Sequence, residues 1–234
     1  MKVTLLSYTP AAADLLIFAK STRLNLTPNL MGEIAALSPS EKVIQLDYIA
    51  NTIKSSWEFV DYVFLVEGVS RAYTHQQVRT RAASYAQQTM RILDVGDFDY
   101  IFTEANLKNQ QAKKTIEWAL GCIKKAYREL LAVGQAPEDA RGILPTNIST
   151  NILCKFNLRT FSDLVKSRSG GRTQAEYRAV VQAMAGEVLK VHPWAAGFIY
   201  PQGRDFYTEV EKFAVENLEV EKRRELLKIL DKMK

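Results

Sequence analysis

The stretch that decides the reading of this chain is EGVSRAYTHQQVRTRAASYAQQTMR, residues 67–91. It follows Phe59–Val66, a nearly continuous apolar and β-favouring run of the kind that forms a buried strand. Gly68 punctuates that run and is expected to end the strand. Residues 69–81 then read as helix. Residues 84–93 read ambiguously, with strand the better fit. From Gly68 to Leu93 there is no acid and no lysine, only Arg71, Arg79, Arg81 and Arg91. A second segment of this kind runs from Arg141 to Ala175. There Arg141, Lys155, Arg159, Lys166, Arg168 and Arg172 stand against Asp163 as the one acid. The two segments carry +4 and +5 while the whole chain carries +5, so everything outside them is net −4.

Arginine presents a planar fork that holds phosphate or carboxylate with two bonds and stays charged when partly buried. The residues interleaved with these arginines are mostly uncharged and polar: Ser84, Gln87, Gln88 and Thr89, then Asn147, Thr150, Asn151 and Asn157. Such a mixture suits a defined pocket for a phosphorylated ligand. The plainer alternative is that the arginines are solvated or paired with distant acids. A nucleic-acid surface would mix many lysines with exposed aromatics over a broad face. These segments are poor in lysine and the rest of the chain is acidic, so no nucleic-acid partner is expected.

Working outward, Val3–Tyr8 reads as a short strand and residues 11–20 as a helix. Ser38-Pro39-Ser40-Glu41 is a capping-box helix start with proline in the first turn, and its helix is expected to reach about Ser55. Residues 107–133 follow the 3.6-residue period as one long helix that Gly134 closes. Residues 149–157 read as strand, 160–166 as a short helix, 172–191 as a long helix and 206–232 as a charged amphipathic helix. No linker or repeat interrupts the 234 residues. The expectation is therefore one domain over 1–234, α/β in class and of the α+β type, with a mixed sheet flanked by long helices.

The scarce residues narrow the chemistry. His75 and His192 are the only histidines, Cys122 and Cys154 the only cysteines. Their spacing matches no zinc pattern, and two thiols make no disulfide framework. Neither histidine sits in a recognisable triad context. There is no Walker A sequence and no G-x-G-x-x-G. No apolar run approaches the length a membrane helix needs, and Met1–Leu6 lacks the features of a signal peptide. The expectation is a cytoplasmic protein with no metal and no membrane partner. Its chemistry would come from carboxylates, arginines or an organic cofactor.

The quoted stretch resembles the signature of the flavin-dependent thymidylate synthases (ThyX family): R-H-R, seven residues, S, then R-Y, usually after a T-H-Q. Here it reads Thr74-His75-Gln76, Arg79-Thr80-Arg81, Thr89, then Arg91-Ile92. Further family elements follow in order. These are an arginine before L-P (Arg141, Leu144-Pro145), N-x-R (Asn157-Leu158-Arg159), L-R (Ser167-Arg168) and A-Q-x-E-I-R (Thr173-Gln174-Ala175-Glu176-Tyr177-Arg178). Upstream, Ser55-Ser56-Trp57-Glu58-Phe59 is similar to the family's S-x-x-E-H segment, and Lys20-Ser21-Thr22-Arg23 to its early A-A-R element.

The resemblance implies a ThyX-like fold, a homotetramer with sites at subunit interfaces, and FAD and NADPH as cofactors. It also implies methylenetetrahydrofolate as carbon donor and a pyrimidine deoxynucleotide monophosphate, dUMP, as substrate. By position, Gln76, Arg79, Gln87, Thr89, Arg91, Arg141 and Arg168 would contact the nucleotide. Ser55, Arg79, Thr80, Arg81, Gln87, Asn157, Arg159 and Asp163 would contact FAD. Arg168 is the expected catalytic group, a cation that polarises the pyrimidine ring at N3. Arg81 and Arg159 could instead form structural ion pairs, and Ser55 and Asp163 could simply cap helices. Arg71 and His75 read as structural, and Trp57, Trp118 and Trp194 as core or interface.

The chain departs from the family pattern at Thr80 and Phe59, which replace two imidazoles, and at Thr89, Ile92, Asp163 and Ser167. These changes gather on the flavin and carbon-donor side, whereas the phosphate-side arginines remain. Two alternatives follow: a related C5 methylase or hydroxymethylase acting on dCMP or dUMP, or a non-catalytic nucleotide- or flavin-binding relative.

Overall fold

The computed structural model of the chain describes residues 1–22, 26–91 and 99–200, and beyond them 219, 222, 225 and 226. Met1–Ile199 form one compact unit and Tyr200–Lys234 a second. In the second, Lys222, Glu225 and Leu226 are helical. Within the helix expected over 206–232, Glu219 is described and is not helical, and the remaining positions lie outside the described residues, as do Arg23 and Ile92.

Four strands, β1 (Lys2–Tyr8), β2 (Asp61–Ser70), β3 (Ala83–Gln87) and β4 (Ser149–Asn157), form a sheet of order β1-β2-β4-β3. Every neighbouring pair is antiparallel. The α+β class stands, but the expected mixed sheet is antiparallel throughout. β2 and β3 do point the same way, yet β4 lies between them and runs opposite to both.

Gly68 does not end β2. It takes φ 64 inside the strand, where the pairing with β4 shifts register between Val66 and Val69. Glycine enters this left-handed region without the usual steric cost. The Gly68 N–H donates to Asn151 Oδ1 at 3.0 Å, so β2 resumes pairing and reaches Ser70.

The described helices are, in chain order, α1 (Ala12–Ser21), α2 (Leu30–Ala35), α3 (Pro39–Ala50), α4 (Arg71–Gln77), α5 (Glu104–Lys108) and α6 (Gln110–Ala132). They continue with α7 (Pro137–Ala140), α8 (Leu158–Arg168), α9 (Ala175–Val191) and α10 (Ala196–Ile199). The capping box at α3 is present: Ser38 Oγ accepts from the Glu41 N–H, and Glu41 Oε2 accepts from the Ser38 N–H at 2.8 Å. That helix stops at Ala50, and a 3-10 turn over Lys54–Phe59 follows. α4 is shorter than the 69–81 expected, because Ser70 still belongs to β2 and caps the helix. The helix expected over 107–133 is two helices. Asn109 adopts extended backbone and its side chain accepts from Ala112 N–H at 3.0 Å, which starts α6 afresh. Gly134, at φ 87, closes α6 as expected.

The core lies on one face of β2 and β4. Tyr62, Phe64 and Val66 alternate inward with Ile152, Cys154 and Phe156. Phe161, Leu164 and Val165 of α8 and Val180, Val181, Met184 and Val188 of α9 cover them. Phe64 stacks on Phe161 with centroids 5.4 Å apart. Burying one such ring contributes about 1.5–3 kcal/mol. Cys154 is part of this core, and burial pushes its thiol up to about 12, so it is not a nucleophile at neutral pH. No described helix is long and apolar enough to cross a membrane.

Candidate functional site

Two groups of arginines emerge from this scaffold. The first lines a cleft of about 570 Å³ at the N-terminus of α8. Asn157 is both the last residue of β4 and the cap of α8, its Oδ1 accepting the Thr160 N–H at 2.8 Å. The Leu158 N–H donates to the Val60 carbonyl at 2.7 Å, which ties the strand end to the start of β2. One turn of helix then presents Arg159 and Asp163 to the cleft, opposite Thr80 and Arg81. Arg159 Nη1 bonds Glu58 Oε1 at 2.6 Å. Asp163 pairs with Lys54 at 3.4 Å, and Lys54 also lies over the Trp57 ring at 5.3 Å. Burial, then Lys54 beside it, pulls the neighbouring Lys166 ammonium below its ordinary value.

The second group meets at Glu138. Arg91 Nε bonds Glu138 Oε2 at 2.7 Å, and Arg141 Nε donates to the Glu138 carbonyl at 3.1 Å. Arg71 belongs to the same neighbourhood. Its Nη2 donates to the Gln88 carbonyl at 3.0 Å, while burial, and then the charge of Arg141, lowers its pKa. Its Nε is buried with no hydrogen-bond partner among the described residues. Thr89 Oγ1 accepts the Arg91 N–H at 3.0 Å and shapes the turn that carries this arginine.

Between the two groups runs a polar seam. Ser70 donates through N–H and Oγ to both oxygens of Glu176, at 2.7 and 2.6 Å, which joins the start of α4 to α9. Gln76 Nε2 bonds the Gln174 side-chain oxygen. Gln87 Nε2 donates to Thr74 Oγ1 at 2.9 Å. The Tyr85 hydroxyl donates to the Thr80 carbonyl at 2.9 Å. Arg168, in the last turn of α8, lays its guanidinium 5.2 Å from the centre of the Tyr177 ring, and its Nε is buried and unpartnered among the described residues.

Of the residues expected to touch FAD, Thr80, Arg81, Asn157, Arg159 and Asp163 share the cleft wall, while Ser55, Arg79 and Gln87 lie outside it. Ser55 sits within the 3-10 turn that carries Glu58, and Asp163 lies mid-helix, so neither caps a helix. Of the nucleotide set, Arg91 and Arg141 meet at Glu138, and Gln76, Gln87 and Arg168 belong to the seam. Arg79 follows α4 and is exposed. Neither Arg79 nor Arg81 has an ion pair among the described residues, whereas Arg159 has one. His75 is exposed on α4, and Trp57 is fully buried. Residue reasoning missed Glu58, Glu138, Gln174 and Tyr177. Glu58, Gln174 and Tyr177 lay inside motifs already singled out. Glu138 carries no local signal, because only the fold brings it to Arg91.

An α+β scaffold with a cleft of cofactor size and a separate concentrated group of guanidiniums has the chemistry to receive phosphorylated ligands. The family model described as thymidylate synthase complementing protein matches residues 4–194, and the chain belongs to that family. A flavin-dependent thymidylate synthase of Nitratidesulfovibrio vulgaris is 34% identical over 211 residues, covering 82% of this chain and 84% of that protein. One from Clostridium tetani is 32% identical with the same coverage. Among solved structures, the Helicobacter pylori ThyX complexed with FAD and dUMP superposes with a TM-score of 0.65 at 18% identity, covering 83% of this chain and 97% of that one. The UMP/dUMP methylase PolB of Streptomyces cacaoi reaches 0.70, also at 18% identity, covering 83% and 92%.

Proposed function

We propose that this protein is an FAD-dependent enzyme of the thymidylate synthase type. It would transfer a one-carbon unit from methylenetetrahydrofolate to C5 of dUMP with NADPH as reductant. The observation that carries this reading is the cleft, which gathers Thr80, Arg81, Asn157, Arg159 and Asp163 from distant parts of the chain.

The donor set fits FAD. Two guanidiniums and the amide end of an eleven-residue helix suit a pyrophosphate. The cleft volume falls within the roughly 300–1,000 Å³ of cofactor sites. Thr80, Arg81, Asn157, Arg159 and Asp163 would hold the dinucleotide, with Ser55, Arg79 and Gln87 beyond the cleft wall. Bound FAD, reduced by NADPH, supplies the electron pair that turns the transferred methylene into a methyl group. Arg91 and Arg141 bind the nucleotide phosphate, and Gln76, Arg79, Gln87 and Thr89 complete its site. Arg168 is assigned to the pyrimidine ring, where its fixed positive charge stabilises the negative charge that develops as C5 becomes nucleophilic. The new C5–carbon bond replaces the bond between the methylene and the folate nitrogen, and the C5 proton is released to solvent. No protein thiol takes part, in keeping with the buried, high-pKa Cys154.

The functional form is a homotetramer in the cytoplasm, with the chain 1–234 acting as one catalytic domain. Exposed apolar side chains on α3 (Val43, Ile44, Tyr48) and Trp118 on α6, 72% exposed, support association. The test begins with an absorbance scan of the purified protein. The expected result is a flavin spectrum that shifts on adding dUMP, and dTMP by mass when NADPH and methylenetetrahydrofolate are supplied. A colourless protein that takes up no FAD would overturn the reading. A product from dCMP, or a hydroxymethyl mass, would redirect it, and Thr80 and Phe59 are the residues that motivate that arm.

A further inference from the structure

Tyr177 occupies the isoleucine position of the A-Q-x-E-I-R element, and the proposed site does not use it. Its side chain is fully buried. Its ring faces the Arg168 guanidinium at 5.2 Å and packs edge-on against Tyr73 at 5.3 Å. Its hydroxyl has no hydrogen-bond partner among the described residues, an uncommon condition for a buried phenol. Burial raises the pKa of this phenol, while Thr80 and Arg168 are the polar groups that pull it back down. Thr80 is itself a departure, standing where the signature has a larger imidazole. One position has thus lost bulk and a residue beside it has gained bulk, with Arg168 over the ring of the second.

We propose that Tyr177 is a positioning residue for Arg168, and that Thr80 and Tyr177 form a compensating pair that sets where this guanidinium points. The proposal rests on the reading of Arg168 as a nucleotide-facing group. The ring supplies an electron-rich face that holds a planar cation in one orientation. The nearby buried hydroxyl limits the directions the guanidinium can turn. An aromatic ring face beneath the cation is available to tyrosine and phenylalanine but not to isoleucine.

The test measures dUMP binding to flavin-free protein by calorimetry, with steady-state kinetics on the loaded enzyme alongside. Y177I is expected to weaken dUMP binding by about thirtyfold, the size of a desolvated cation–π contact. Y177F keeps the ring and is expected to lose less than Y177I. Because Tyr177 acts through Arg168, adding Y177I to R168A should cost nothing further in affinity. A general loss of structure would lower both backgrounds by the same factor. T80H alone is expected to bind dUMP more weakly than the parent, and T80H/Y177I to recover part of that loss. Thermal midpoints accompany every variant. If Y177I does not fold, Y177M fills the space without a ring face and carries the same comparison. The proposal is overturned if Y177I binds as the parent does, if its cost is undiminished in R168A, or if T80H/Y177I binds more weakly than T80H. A parent chain that binds no dUMP would instead remove the reading of the site.

Discussion

The cleft at the start of α8 and the arginine group around Glu138 use the same cation to different ends. In the cleft, Arg81 and Arg159 are balanced by Glu58 and Asp163, and Asp163 is further held by Lys54. Around Glu138, only Arg91 bonds the carboxylate, while Arg141 bonds the Glu138 backbone carbonyl and Arg71, beside Arg141, bonds the Gln88 carbonyl. A balanced site selects its ligand by shape and hydrogen bonding. A site with three cations to one anion is electrostatically incomplete until another anion arrives. An arginine count cannot tell these apart, since each region draws its arginines from both cationic segments of the sequence. Two of the carboxylates that separate them, Glu58 and Glu138, come from outside both segments.

The sharpest way to break this contrast is Arg141→Ala. Hydrogen bonds to charged groups are worth about 1.5–3 kcal/mol, so dUMP binding should weaken by roughly 10- to 150-fold. FAD uptake should stay near its parent value. Calorimetry with each ligand separately checks both halves. A comparable loss of FAD would merge the two regions into one site. Arg159→Ala should do the reverse and more mildly, about three- to tenfold in FAD affinity, because Arg159 already shares its fork with Glu58. Equilibrium titration of apoprotein with FAD measures it, and unchanged affinity would take Arg159 out of the cofactor set.

A gentler change sharpens the comparison. Glu138→Gln removes the one carboxylate from the arginine group. It should tighten phosphate-bearing ligands by about two- to fivefold and steepen their salt dependence. Glu58→Gln should leave dUMP affinity and its salt slope unmoved. Binding at two ionic strengths distinguishes the pair.

The smallest expected effect lies outside both regions. His192 is buried, with its Nδ1 3.0 Å from the Tyr62 hydroxyl and its ring against Tyr8 and Trp194. Burial holds its imidazole below the ordinary 6.5, so the unfolded chain takes up this proton more readily than the native one. The contribution is present in full above pH 6.5 and is lost as pH falls below it. Thermal midpoints should therefore drop on the acid side, and less so in His192→Gln. Equal acid profiles in the two proteins would assign the drop to other groups.

Much of this architecture was legible in local pattern. The apolar run ending at Val66 and the alternation at 149–157 gave the central strand pair, and Ser38 with Glu41 gave the start of α3. The extent of β2 was not legible. Gly68 looks like a terminator in one dimension, and only the Asn151 side chain, arriving from β4, makes it a bulge. The break at Asn109 was hidden because apolar spacing runs on across a residue that caps a new helix. Of the candidate site, the cationic half was readable, since arginine without acid is conspicuous. The partners were not: Glu58 and Arg159 lie 101 positions apart, and Arg91 and Glu138 lie 47 apart. The stacking of Arg168 on Tyr177 needed the packing of α9 beside α8.

The junction at Asn157 has one more consequence. The strand passes into the helix with no residue to spare, because Asn157 ends β4 and caps α8 at once. One added residue there would rotate the helix by about 100°. Arg159, Asp163 and Arg168 would swing together away from their neighbours. The spacing at this corner is therefore fixed in length, and this part of the chain can diverge by exchanging side chains but not by gaining or losing residues.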